Sequence, residues 1–152
     1  MEVKEVNSRD LKKIVHLEQK IFRENAFSKD LIERLIENNT FFLKLETNKI
    51  RKELIGIIIV VKDKKNCVNI INFLINPRFQ KKGYGSYLLQ ETIKEIKKLS
   101  NIKKIILNVQ INNSVAIRLY EKFNFKRNPT IIKNYYQSGE SAYLMELNID
   151  SL

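Results

Sequence analysis

Two of the chain's four glycines fall within Gln80-Lys81-Lys82-Gly83-Tyr84-Gly85. This segment separates a β-branched stretch ending at Ile75 from Leu88, Leu89, Ile93, Ile96 and Leu99, which recur at helical spacing. Glycine permits φ > 0 and lets a ligand approach the backbone closely. The first N–H groups of a helix have no internal partner and lie at the positive end of its dipole. A strand, a glycine turn and a helix start therefore make an anion site, to which Lys81 and Lys82 add charge. The same residues also suit an ordinary strand-to-helix turn in which the glycines only solve geometry.

Other chemistry is constrained by scarcity. The chain has one His, His16, and one Cys, Cys67. An internal disulfide is impossible, and no His/Cys cluster supports a metal site, so no metal is expected. Mechanisms built on several His residues, or on Ser-His-Asp and Cys-His arrangements, are set aside. Cys67 reads as a small strand residue and His16 as a helix surface residue. Catalysis is left to carboxylates, tyrosines, amides and the backbone. The formal charge of +11 suggests a polyanionic partner, but Ile, Lys and Asn supply 60 of 152 residues, a compositional bias independent of function. Basic residues are interleaved with apolar ones, so nucleic acid is not the expected partner.

These residues need elements to hold them. Residues 2–6 alternate as an opening strand, and Ser8 or Asp10 caps a helix over 11–22. A second amphipathic helix follows Ser28. Strands are expected over 41–46, 54–61 and 68–75, the last ended by Pro77. A helix over 85–99, a strand over 104–109, a helix over 113–123 and strands near 131 and over 142–147 complete the order β-α-α-β-β-β-α-β-α-β-β. That order predicts an α/β (α+β) fold, one mixed sheet of six to seven strands flanked by four helices. The stretch from Val68 to Val109 reads as a right-handed crossover. No linker or repeat divides the sequence, so residues 1–152 are expected to form one domain. The longest apolar run, Leu54 to Val61, is far short of the ~20 residues of a membrane helix, and no membrane partner is expected. With no apolar signal core at the N-terminus, the cytoplasm is the default address.

The segment Ile75-Asn76-Pro77-Arg78-Phe79-Gln80-Lys81-Lys82-Gly83-Tyr84-Gly85 resembles motif A of the GNAT acetyltransferases, whose pattern is Arg/Gln-x-x-Gly-x-Gly/Ala. Downstream, Asn113-Ser114-Val115-Ala116-Ile117-Arg118-Leu119-Tyr120-Glu121-Lys122-Phe123-Asn124-Phe125 is similar to that family's second motif, with Asn124 at a usual glycine. Asn tolerates left-handed backbone angles, so the departure is mild. Lys133-Asn134-Tyr135-Tyr136-Gln137 and Glu140 to Leu147 resemble the end of the ribosomal-protein alanine acetyltransferases and their archaeal N-terminal relatives.

The resemblance implies acetyl-CoA as the donor and a protein or peptide N-terminus, ribosome-associated ones included, as the acceptor. The acetyl group would pass by direct attack of the amine. It implies that the backbone of Leu74, Ile75 and Asn76 contacts the acetyl and pantetheine arm. The backbone from Lys82 through Gly83, Tyr84, Gly85 and Ser86 to Tyr87 would cradle the pyrophosphate. Asn113 would bond the pantetheine arm, or cap a helix, or both. Tyr120 matches the residue that protonates the leaving thiolate; a phenol of pKa about 10 is protonated at neutral pH. As a helix aromatic it would instead pack against Phe123 and the sheet.

The proton acceptor is the open question. Asn69 and Asn108 stand where the resemblance leads one to expect Glu, and an amide takes no proton, although it can hold a water. Glu24 is similar to a loop Glu of the N-terminal acetyltransferases and is also readable as a solvated loop charge. Tyr135 and Tyr136 resemble loop tyrosines that hold the acceptor's backbone, or are strand aromatics at a sheet edge. Phe27 lines the acceptor cleft or packs in the core. An α-amine of pKa about 7.7–8.0 is on the order of a tenth neutral at pH 7, far more than a Lys side chain at about 10.4. Missing carboxylates therefore favour an N-terminal acceptor. A Lys or small-molecule amine acceptor, or a CoA-binding module with weakened catalysis, are the alternatives.

Overall fold

Among the described residues, alternating and β-branched stretches build seven strands and amphipathic ones four α-helices, in the expected order. A computed structural model describes residues 1–149; the last three residues of the expected 1–152 unit lie outside the described residues. The strands are β1 (Glu2–Glu5), β2 (Phe41–Glu46), β3 (Leu54–Lys62), β4 (Cys67–Ile75), β5 (Lys104–Gln110), β6 (Lys126–Ile132) and β7 (Ala142–Asn148). The helices are α1 (Leu11–Phe22), α2 (Lys29–Glu37), α3 (Tyr84–Lys97) and α4 (Ser114–Lys122). Leu99, expected inside the third helix, lies just beyond its end. One mixed sheet runs in the order β1-β2-β3-β4-β5-β7-β6. Among the described residues, only β4 and β5 pair in parallel.

Both faces of the sheet are covered. Ile55, Ile58, Val60, Val68 and Ile70 pack beneath Leu88, Leu89, Ile93 and Ile96 of α3 and Ile117 and Tyr120 of α4. Ile57, Ile59 and Leu74 pack against Ile14 and Leu17 of α1 and Ile32 of α2 on the other face. The apolar run of β3 is therefore a central strand, buried at seven consecutive positions from Leu54 to Val60. Gly56 sits at a close approach within it. A Cβ there would meet the Leu74 carbonyl oxygen at 2.7 Å and Ile75 Cδ1 at 2.6 Å.

One irregularity sets up the site. In β4, Ile70 pairs with Val60 but Asn72 pairs with Ile59, so Ile71 is an extra residue. This is a β-bulge, which bends a strand and changes where its side chains point. Ile70 and Phe73 pack on the α3/α4 side. Ile71 packs on the α1/α2 side, and Asn72 bonds Glu18 of α1. The parallel pairing of β4 with β5 ends at Ile70 and Leu107, where the bulge begins. Beyond that point the two strands have no shared register.

Candidate active site

The gap between β4 and β5 opens into a cavity of about 450 Å³. Its walls come from all parts of the chain. Ile70 to Phe73 of β4 and Asn108 to Gln110 of β5 form the split sheet, and Asn113, Ala116 and Tyr120 form the α4 wall. Glu18, Phe22, Glu24 and Phe27 come from α1 and the turn after it, and Tyr136 and Glu140 from the β6–β7 loop. The sequence-predicted residues Tyr120, Glu24, Phe27, Asn108, Tyr136 and Asn113 are thus brought together.

Backbone groups dominate the stretch that runs from Phe73, at the cavity, to the glycine turn, where Gly85 lies against Phe73 and Ile75. Strand N–H and C=O groups alternate between neighbours in an antiparallel pair. The Asn76 N–H donates to the Ile55 carbonyl at 2.7 Å. By alternation the N–H of Leu74 is also directed toward β3, while those of Phe73 and Ile75 face the gap. The N–H groups of Leu74 and Asn76, expected at the donor, are thus turned to β3, and Ile75 with Phe73 is left facing the gap. Asn76 has a structural task instead, its Nδ2 donating to the Leu54 carbonyl at 3.1 Å and its Oδ1 accepting from the Arg78 N–H.

The glycine turn follows. Gly83 is the N-cap of α3 with φ +85°, and the added Cβ would be strained by that angle alone. Lys81 also has positive φ, 63°. Tyr84, Gly85 and Ser86 open the helix, and their N–H groups lack intrahelical partners. Tyr87 donates its N–H to the Gly83 carbonyl at 3.1 Å, so its backbone belongs to the helix and is removed from the expected anion cradle. Lys81 and Lys82 are exposed beside the turn. Asn113 is the N-cap of α4, its Oδ1 accepting from the Ala116 N–H at 3.2 Å, which leaves its Nδ2 for the cavity.

Tyr120 forms the inner wall. It is buried, with its ring 6.3 Å from Phe73 and 5.7 Å from Phe125. Burial, reinforced by nearby Tyr136, holds its phenol well above the ordinary tyrosine range. The phenol therefore keeps its proton across the physiological range. Burial likewise pushes Tyr136 up to about 12, with Tyr135 and Glu140 adding to the effect.

The cavity itself is built from side chains. Tyr135 and Tyr136 lie in the loop between β6 and β7, edge to face with centroids 4.9 Å apart; their reading as strand aromatics does not hold. The Tyr135 hydroxyl accepts from Asn108 Nδ2 at 3.0 Å. Asn25 and Ser138 bond reciprocally, Nδ2 to Oγ and backbone N–H to Oδ1, each at 3.1 Å, joining the turn after α1 to this loop. Glu140 accepts from Ser138 Oγ and from Asn112 Nδ2. Glu24 is exposed at the mouth, and Phe27 is half-buried, serving both the cavity and the core.

Some residues prove different from their sequence reading. Asn69 does not line the cavity; Asn72 does. Burial raises the Cys67 thiol, which disfavours the thiolate a nucleophile needs, and His16 is exposed on α1. Glu18 was missed. It is 1% exposed, lines the cavity, and accepts from Asn72 Nδ2 at 2.9 Å and from the Phe27 N–H at 3.0 Å. A signal existed: Ile14, Leu17, Glu18 and Ile21 are spaced i, i+3, i+4, i+7, which puts a carboxylate on the apolar face of α1.

Comparison with known proteins agrees with this geometry. The profile of the acetyltransferase (GNAT) family matches residues 11–125. An N-alpha-acetyltransferase from Sulfolobus acidocaldarius is 42% identical over 77 residues, 51% of this chain and 45% of that protein. A [ribosomal protein bS18]-alanine N-acetyltransferase from Salmonella typhimurium is 36% identical over 83 residues, 53% of this chain and 55% of that protein. A spermine/spermidine N(1)-acetyltransferase from Bacillus subtilis is 37% identical over 87 residues, 57% of this chain and 55% of that protein. The matches span about half the length of these curated relatives. The solved structure of Arabidopsis thaliana NAA60 in complex with acetyl-CoA has a TM-score of 0.83 at 18% identity, covering 97% of this chain and 98% of that one. The helix order, the split sheet and the profile match lead to one conclusion: the chain belongs to the GNAT acetyltransferase family.

Proposed function

We propose that the protein transfers the acetyl group of acetyl-CoA to the α-amine of a protein N-terminus by direct attack. The observation that carries this reading is the split between β4 and β5, which opens a side-chain cavity walled by Tyr120, with Phe73 leading from it to the glycine turn. Acetyl-CoA supplies a thioester, an acyl group already activated toward an amine. The glycine turn fits its phosphates: Gly83 needs its left-handed angle, and the N–H groups of Tyr84, Gly85 and Ser86 start a helix of 14 residues. The backbone of Phe73 and Ile75 and the Nδ2 of Asn113 would hold the pantetheine arm. Tyr120, protonated by burial, donates to the leaving sulfur.

The acceptor end supports a peptide. Asn108, Gln110, Tyr136 and Phe27 offer amide, hydroxyl and aromatic groups that suit a peptide main chain and side chain. A polyamine presents only ammonium groups and methylenes. Glu24 at the mouth meets the protonated amine first. No helix among the described residues is long and apolar enough to cross a membrane. Ribosomal proteins and other newly made chains are fitting acceptors, and the cytoplasm is the fitting place.

A peptide panel tests the reading. Purified protein, acetyl-CoA and peptides that differ at the first residue should give mass shifts on α-amines. Acetylation confined to Lys ε-amines or to spermidine overturns the N-terminal assignment. Failure to turn over any amine, with CoA still bound, leaves a CoA-binding module instead.

A further inference from the structure

We propose that Glu18 of α1 receives the acceptor's ammonium group and takes its proton before the amine attacks. The proposal rests on the amine-acetylating reading above, and it answers the question left by Asn69 and Asn108.

Three observations carry it. Glu18 is buried and lines the same cavity as Tyr120. It forms no salt bridge among the described residues, whose ion pairs all lie elsewhere. Buried carboxylates are ordinarily paired with a cation, because the lone charge is costly to desolvate. This one is held only by neutral donors, the Phe27 N–H and Asn72 Nδ2. An incoming ammonium supplies the missing countercharge. Third, the Asn72 Oδ1 beside it is buried without a hydrogen-bond partner, as is the Asn108 Oδ1 on β5. Buried acceptors lacking donors are rare, and an ammonium is a donor with three N–H groups. The bulge at Ile71 is what turns Asn72 toward α1 to meet Glu18.

The step balances without another reactant. One N–H bond of R–NH3⁺ breaks, an O–H bond forms on Glu18, and a cation and an anion become a neutral amine and a neutral acid. The amine's lone pair then attacks the thioester carbon. Burial raises the Glu18 carboxyl above its ordinary range, partly opposed by its bonds from Phe27 and Asn72. A raised carboxyl accepts the proton of an amine more readily. The other titratable or charged groups around the cavity are Arg23 and Glu24 from the turn after α1, Tyr120 from α4, and Tyr136 and Glu140 from the β6–β7 loop.

The test separates charge from shape with Glu18→Gln. Glutamine keeps an oxygen for the Phe27 N–H, and a flip of the Asn72 amide brings its Oδ1 to the glutamine N–H, but glutamine takes no proton. With an alanine-initiated hexapeptide, kcat/KM at pH 7 should fall at least about 100-fold. The deficit should narrow toward pH 9, where the free α-amine is neutral on its own. The affinity for CoA should not change. A variant within about threefold of the wild type at pH 7 would show that Glu18 only props the Phe27 turn, and would overturn the proposal. If wild-type protein acetylates spermidine but no α-amine, the N-terminal reading falls and the same comparison is made with spermidine. Carbon-13 NMR of the Glu carboxyls in the wild type, with CoA, gives a readout without mutation. Adding the hexapeptide should lower the Glu18 pKa as the ammonium pairs with it; an unchanged titration overturns the proposal.

Discussion

The donor end, at the glycine turn next to Phe73, and the acceptor end, the cavity itself, are made of different materials. At the donor end, the turn around Gly83 and the start of α3 present backbone N–H groups, and the alternation of β4 directs those of Phe73 and Ile75 into the gap. At the acceptor end, side chains from α1, its following turn, β4, β5 and the β6–β7 loop converge, with partners as far apart in sequence as Asn25 and Ser138. A backbone site depends on where the chain turns, so it constrains a few local residues such as glycine. A side-chain site depends on packing among distant segments and leaves no compact motif. The donor end therefore suits one invariant ligand, and the acceptor end is free to differ between family members.

Changes at the junction and at each end should have separable effects. The largest is expected at the junction: Tyr120→Phe removes the proton donor and should lower kcat about 100-fold while leaving CoA affinity nearly unchanged. Because the Tyr120 phenol stays protonated well above its ordinary range, wild-type kcat should hold level through pH 10, and a decline beginning near pH 9 would argue against that role. Next comes the donor end. Gly83→Val forces a β-branched residue to φ +85° and should weaken CoA binding roughly tenfold or more, readable by calorimetry with no acceptor present. At the acceptor end, Asn25→Ala cuts both bonds to Ser138 and should raise peptide KM about threefold, with the KM for acetyl-CoA unmoved. If that variant changed both KM values equally, the two ends would not be independent.

The smallest effect is on stability. Folding raises the Glu18 carboxyl above its unfolded value, so its charged form is disfavoured in the native state. Its contribution is most favourable below the unfolded pKa and is lost as pH rises through the native one. Glu18→Gln should therefore melt a few degrees higher than the wild type at pH 7, with the gain shrinking toward pH 4. Higher stability with lower activity would mark a residue kept for function.

Sequence periodicity carried the fold well. Leu11 to Phe22 and Phe41 to Glu46 coincide with α1 and β2, because strong amphipathic and alternating patterns match the faces they bury. The glycine turn was legible from its local spacing, and Tyr120 from its place in the segment that resembles the family's second motif. Of the expected backbone run Leu74, Ile75 and Asn76, the pairing with β3 turns Leu74 and Asn76 away and leaves Ile75, with Phe73, toward the gap, since the direction of an N–H depends on which neighbour a strand pairs with. Glu18 shows in the sequence only as one carboxylate among Ile14, Leu17 and Ile21 on an apolar helical face, and its neighbours Phe27 and Asn72 come from segments that the helical pattern does not place. Asn72 was hidden more deeply. Simple alternation puts it on the face of Ile70, and only the bulge turns it over.

That extra residue at Ile71 has an evolutionary reading. It divides β4 into two half-strands of opposite parity, each with its own inside and outside. Substitution can tune Asn72 gradually, one side chain at a time. Straightening the bulge with every residue kept would reverse each position from Asn72 to Ile75 at once, burying the amide under α3 and turning Phe73 to α1. The lineage can thus drift in acceptor preference by point changes as long as the bulge itself is kept.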